Sequence, residues 1–189
     1  MNVSGILLAG GLGRRMGGTD KGLIALKGQP LAAHVAARFA PQVDELFINA
    51  NQNIEMYAKL GYPVIQDATS RFAGPLAGLQ AGLIHARHPL IATAPCDSPF
   101  LPSDLVARLS AALKKDNAQL AAAKTEGQLH PVFCLCRQDL LPSLTAFLDA
   151  GGRKMSDWLA TLKLVEVNFD DEAEAFMNIN TPQELDAVK

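Results

Sequence analysis

The chain has 189 residues, 49% of them hydrophobic, with a formal net charge of -2 and a pI near 6.1. That is apolar material for one compact domain burying about 70% of its unfolded surface, so residues 1–189 are expected to form a single domain. A charge this close to neutral excludes a global basic field for nucleic acid or an anionic membrane, no apolar run reaches the roughly 18 residues of a span, and no charged-then-apolar leader follows Met1.

In chain order, apolar runs of strand length alternate with segments of helical period. Strands are predicted at Gly5–Leu8, Leu46–Ala50, Pro63–Gln66, Leu90–Ala94, Leu120–Ala123, Val132–Cys136 and Leu164–Phe169. Helices are predicted at Leu31–Phe39, Ile54–Leu60, Leu76–Ala86, Ser103–Leu113, Leu140–Leu148, Ser156–Leu162 and Pro182–Val188. This alternation predicts an α/β, Rossmann-like domain: a mainly parallel sheet with helices on both faces. Ligands of such sheets sit beyond the carboxyl ends of strands. Cys96, Cys134 and Cys136 are an odd number without zinc spacing, which suits reduced thiols packed as small hydrophobes in a cytoplasmic protein.

The run Leu8-Ala9-Gly10-Gly11-Leu12-Gly13-Arg14-Arg15-Met16-Gly17-Gly18-Thr19-Asp20-Lys21 follows the first strand. Glycines let backbone N–H groups approach an anion, and Arg14, Arg15 and Lys21 add positive charge, so the loop suits a polyphosphate. It is neither a P-loop, because no glycine at the required spacing precedes lysine, nor a dinucleotide fingerprint, because Met16 occupies the third glycine position. The ribose-binding acid of such a fingerprint is also missing, since the second strand ends in Asn49 and Asn51.

Asp97, in Ala94-Pro95-Cys96-Asp97-Ser98-Pro99-Phe100, follows an apolar strand and is a candidate Mg²⁺ ligand. Magnesium needs only one or two carboxylates when substrate phosphates and water complete its shell. An Asx turn or a cap on the helix near Ser103 is the alternative role. Asn49 and Asp67, after the second and third strands, could read base or ribose, or simply form strand-end turns.

Four segments together resemble the nucleotidyltransferase superfamily, and within it the molybdenum cofactor guanylyltransferases: the glycine loop, the PCDSPF turn, GPLAGL from Gly74 to Leu79, and NINTPQEL from Asn178 to Leu185. The resemblance runs in order along nearly the whole chain; it departs at Gly13, where many relatives carry serine. It implies a fold of the nucleotide-diphospho-sugar transferase type and attack by the phosphate of molybdopterin, with or without molybdenum, on the α-phosphorus of GTP. By this resemblance Leu8, Ala9, Gly10, Lys21, Asn49, Asp67 and Asp97 would form the GTP site, with backbone amides from Ala9 to Gly11 on the phosphates. Arg15 and Lys21 would neutralise phosphate charge, Asp97 would hold Mg²⁺, and Gly74 and Gly78 would let the chain lie against the purine. Asn178 and Asn180 would face the pterin, with His130, Arg153 and Lys154 as further candidates; Thr181 and Pro182 also read as a helix start. A monomer is expected, with cofactor-insertion or chaperone proteins as the partners such an activity implies. A molybdopterin cytidylyltransferase, a sugar-phosphate nucleotidyltransferase and a non-catalytic nucleotide-binding module are the rival readings.

Overall fold

Strand β1, Val3–Leu8, is six buried residues with no polar alternation, the pattern of a strand covered on both faces. The computed structural model describes residues 2–9, 20–68 and 74–187. Beyond β1, residues Ala25–Leu26 (β2) and Gln29–Pro30 (β3) form a small antiparallel ribbon leading into helix α1, Leu31–Phe39. There follow β4 (Glu45–Asn49), α2 (Ile54–Ala58), β5 (Val64–Ile65), α3 (Pro75–His85), β6 (Leu90–Pro95) and α4 (Leu105–Lys115). Strands β7 (Leu120–Thr125) and β8 (Gln128–Arg137), helices α5 (Leu141–Asp149) and α6 (Met155–Leu159), β9 (Leu164–Asn168) and α7 (Pro182–Ala187) complete the order.

The main sheet has seven strands in the order β5-β4-β1-β6-β8-β7-β9. All neighbours pair in parallel except β8, which runs antiparallel to both β6 and β7. The reversal comes from a two-residue hairpin at Glu126 and Gly127, whose positive φ values of 48° and 82° match the twist of the flanking strands. Both strands of this hairpin are longer than their apolar runs predict. Residues of β1 alternate between two cores. Val3 and Leu7 pack with α1 and α4 on one face, while Ile6 and Leu8 pack with α3, α5 and α6 on the other, so helices cover both sides. Cys96, Cys134 and Cys136 are free and buried, and burial holds the Cys134 thiol up at about 11. No described helix is long and apolar enough to cross a membrane.

Candidate active site

Parallel register brings three strand ends together. Leu8 stands opposite Asn49 on one side and Pro95 on the other. The ladder continues one step further, with Ala9 N–H donating to the Asn49 carbonyl at 2.8 Å and Cys96 N–H to the Leu8 carbonyl at 3.0 Å. The Ala9 amide is therefore already used, which corrects the expectation that it is free to hold a phosphate. Gly10, Arg14 and Arg15 lie outside the described residues, as do Gly11 and Gly13.

Beyond the glycine loop the chain returns at Lys21. The 3-10 turn Lys21–Leu23 sends its ammonium to the Asp97 carboxylate at 3.4 Å and into a short hydrogen bond with the Asn180 side-chain oxygen. Asp97 is 8% exposed. Burial raises its pKa above the usual carboxylate value, with Lys21 pulling the other way. It does not cap α4, which begins at Leu105 after Asp104.

Asn180 arrives on a strap from Phe176 to Asn180 that is fixed by two buried side chains with exposed residues between them. Phe176 is buried in an aromatic group, stacked on His130 at 5.0 Å and edge-on to Phe133 at 4.9 Å, and Ile179 is fully buried beside Leu26 and Leu31. Between these anchors Ile179 N–H donates to the Asp97 carbonyl at 2.8 Å, and Ser98 Oγ donates to the Asn178 side-chain oxygen at 2.7 Å. The strap ends in a capping box the sequence reading left incomplete: Glu184 N–H donates to Thr181 Oγ1 at 3.2 Å, and the Glu184 carboxylate accepts from Thr181 N–H at 3.1 Å and Asn180 N–H at 2.5 Å. The Thr-x-x-Glu spacing at 181–184 was the available signal. Of the two asparagines expected to face a second substrate apart from the phosphate loop, Asn180 thus meets Lys21 directly, while Asn178 is held by Ser98, the residue after Asp97.

Asn49 is 2% exposed, and its amide N–H₂ donates to Asp67 at 2.9 Å. Asn51 donates to the other Asp67 oxygen at 2.8 Å, while the Asp67 N–H donates to the Asn51 side-chain oxygen at 2.9 Å. Asp67 is therefore held by two amides with acceptor capacity left over, and Asn49 acts as its brace. Gly78 serves helix packing, not an open face: a Cβ there would overlap the Asn49 amide and a Leu8 methyl. Gly74, at φ 62°, is the residue preceding α3 and has open space around it.

Chemically, the described cluster offers one carboxylate, one ammonium and two amides. Among the described residues no group of three or more His, Cys, Asp or Glu could hold a metal ion. A single buried carboxylate amid hard oxygen donors fits a cation that keeps water and phosphate ligands, as magnesium does, and does not fit a closed protein cage. An open hollow of about 780 Å³ lined by Phe100, Glu126, Asp170, Asp171 and Glu174 borders residues next to the strap, but its acids make it a poor seat for a phosphate. Arg153 caps the end of α5 through the Leu148 and Gly152 carbonyls. His130 hydrogen bonds with Thr125 at 2.6 Å, and burial lowers its pKa.

The family model of the MobA-like NTP transferase domain matches residues 5–166. A molybdenum cofactor guanylyltransferase of Cupriavidus taiwanensis is 53% identical over 98% of this chain and 96% of its own. Another of that name, from Burkholderia ambifaria, is 50% identical over 99% of this chain and 95% of its own. Among solved structures, the molybdopterin-guanine dinucleotide biosynthesis protein A of Archaeoglobus fulgidus superposes with a TM-score of 0.83 at 24% identity, covering 98% of this chain and 96% of that one. The 4-diphosphocytidyl-2C-methyl-D-erythritol synthase of Anaerococcus prevotii superposes at 0.74 with 14% identity, covering 98% and 95%. At these identities the two superpositions speak for the fold.

Proposed function

This chain belongs to the MobA-like NTP transferase family, and from that premise we propose that it transfers GMP from GTP to the terminal phosphate of molybdopterin, releasing pyrophosphate and forming a guanine dinucleotide cofactor. The observation that carries the reading is the convergence of Lys21, Asp97 and Asn180 where the glycine loop leaves the sheet, in a chain about half identical to enzymes named for this activity. In the transfer a molybdopterin phosphate oxygen bonds to the α-phosphorus as the bridging bond to the β-phosphate breaks. The nucleophile is already an anion, so the protein needs no general base; it must position the groups and neutralise charge. Lys21 supplies cationic donors for the polyphosphate, with Arg15 in the same role, and the amides of Gly10 and Gly11 add neutral donors, the Ala9 amide being engaged by the sheet. Asp97 would hold Mg²⁺, which when bound neutralises charge on the phosphates. Asp67, braced by Asn49 and Asn51, offers acceptors for guanine or ribose hydrogens. Asn178 and Asn180 offer amides to the pterin. Residues 1–189 act as one domain, as a cytoplasmic monomer that hands its product to cofactor-insertion or chaperone proteins.

The test is to incubate purified protein with molybdopterin, Mg²⁺ and each nucleoside triphosphate separately, measuring pyrophosphate and dinucleotide. Turnover is expected with GTP and not with ATP or CTP. A site built on directed hydrogen bonds can discriminate by up to about 10⁴–10⁵. Comparable turnover with CTP would refute the guanine assignment.

A further inference from the structure

Asp20 precedes the phosphate-facing lysine, and its carboxylate collects three donors. Oδ1 accepts the Gly22 backbone N–H at 3.2 Å and the Tyr57 hydroxyl; Oδ2 accepts the Asn53 side-chain amide at 3.0 Å. The first bond caps the turn that presents Lys21. The other two arrive from α2 and the residue before it, about 35 positions further along the chain.

Each partner is constrained to this arrangement. Tyr57 is fully buried, and a buried hydroxyl needs an acceptor. Burial raises its pKa strongly, which keeps it a proton donor. Asn53 has a φ of 51°, a left-handed conformation that asparagine tolerates better than most residues, and from it the amide reaches Asp20. Gly22 fills the remaining space: a Cβ there would overlap the Tyr57 hydroxyl and stand 3.1 Å from Cys96 Sγ. The turn is therefore gripped between α2 and the strand-end turn that carries Asp97.

We propose that Asp20, held by Tyr57 and Asn53, is a positioning residue that fixes Lys21 on Asp97 and Asn180, so that phosphate capture depends on a buried hydroxyl on α2. The proposal rests on the reading of Lys21 as a phosphate clamp, and its test separates the two. Tyr57→Phe removes one hydroxyl and keeps the ring; Asn53→Gly removes the amide and keeps the backbone conformation available.

In the free protein, the side-chain ammonium of Lys21 is followed by nitrogen-15 NMR, its signal identified by its loss in Lys21→Ala. Both variants should broaden or lose it, and an unchanged signal in both overturns the proposal. Calorimetry with Mg²⁺–GTP should show Tyr57→Phe weakening binding by about 3- to 10-fold, the equivalent of one hydrogen bond, and by less than about 2-fold when Lys21 is already alanine. An equal loss in both backgrounds also overturns the proposal, because it would mean that Tyr57 acts through stability alone. If the ammonium signal is lost as expected while Lys21→Ala binds GTP as tightly as wild type, positioning stands and the phosphate clamp falls.

Discussion

Replacing Asp97 with asparagine keeps the size of a side chain that is 8% exposed and lies 3.4 Å from the Lys21 ammonium. At that separation the attraction is about 5 kcal/mol for an effective dielectric of about 20. Taking an ion out of water costs several kcal/mol per charge. The raised pKa of Asp97, with burial as its largest cause, shows that desolvation outweighs the pairing. A carboxyl whose folded value lies above its ordinary 3.8 contributes stability below that pH and loses it as pH rises through the folded value. Ionised Asp97 thus costs the fold stability at neutral pH, and Asp97→Asn should melt no lower than wild type in EDTA. Its turnover should nonetheless fall by roughly 10²–10³, the loss of about 2.7–4 kcal/mol of transition-state stabilisation. Pyrophosphate release with Mg²⁺ and GTP measures the second effect, and thermal unfolding near pH 7 the first. A folded variant keeping more than about a tenth of the wild-type rate would remove Asp97 from the reaction, and a clear drop in melting temperature would make the carboxylate a structural group.

Lys21→Ala should weaken GTP binding and turnover far more than stability, and Lys21→Arg should restore only part; unchanged GTP affinity in calorimetry would refute the clamp. Asn178→Asp should impair use of molybdopterin more than GTP binding, whereas Asn180→Asp should impair both, because its carboxylate would compete for the Lys21 ammonium; equal and small effects on both substrates would return the pair to structure. Gly78→Ala should cost about 1–3 kcal/mol in urea unfolding, since its methyl meets the Asn49 amide and Leu8, and a neutral result would show that α3 can move off the sheet. Because burial lowers the His130 pKa from 6.5, the neutral ring is favoured in the fold, and its contribution is lost as pH falls through the lowered value. His130→Phe, which keeps a ring against Phe176, should flatten the decline in melting temperature between about pH 7 and pH 5, and an unchanged slope would refute the assignment.

The strands were legible because a sheet covered on both faces leaves continuous apolar runs, as in Val3–Leu8, and Asp97 was legible because it directly follows such a run. The direction of β8 was not. Its apolar run starts at Val132, while the residues that pair it backwards, Gln128 to His130, are polar enough to read as loop. Lys21 was legible as a loop cation, but nothing in local pattern brings Asn180 to it, since the two meet only through the burial of Phe176 and Ile179 on either side of a polar strap. Asp20 went unread for a similar reason: its distant partners are Asn53, just before a short helix, and Tyr57, the one buried side chain of that helix, which looks from sequence like ordinary core. Gly78 was noticed as a glycine that matters, but its neighbours, which decide why, come from β1 and β4.

The bond between Lys21 and Asn180 joins residues 159 positions apart, and that between Lys21 and Asp97 spans 76. Contacts of such separation carry a loop-closure entropy that makes them slow to form. During synthesis Lys21 emerges early and waits for Asn180, which is not present until the strap after β9 has been made. A nascent chain therefore lacks the complete cluster of Lys21, Asp97 and Asn180 until this segment is in place. If this cluster captures the nucleotide as proposed, GTP added to a refolding chain would select the molecules in which Lys21 and Asn180 have met.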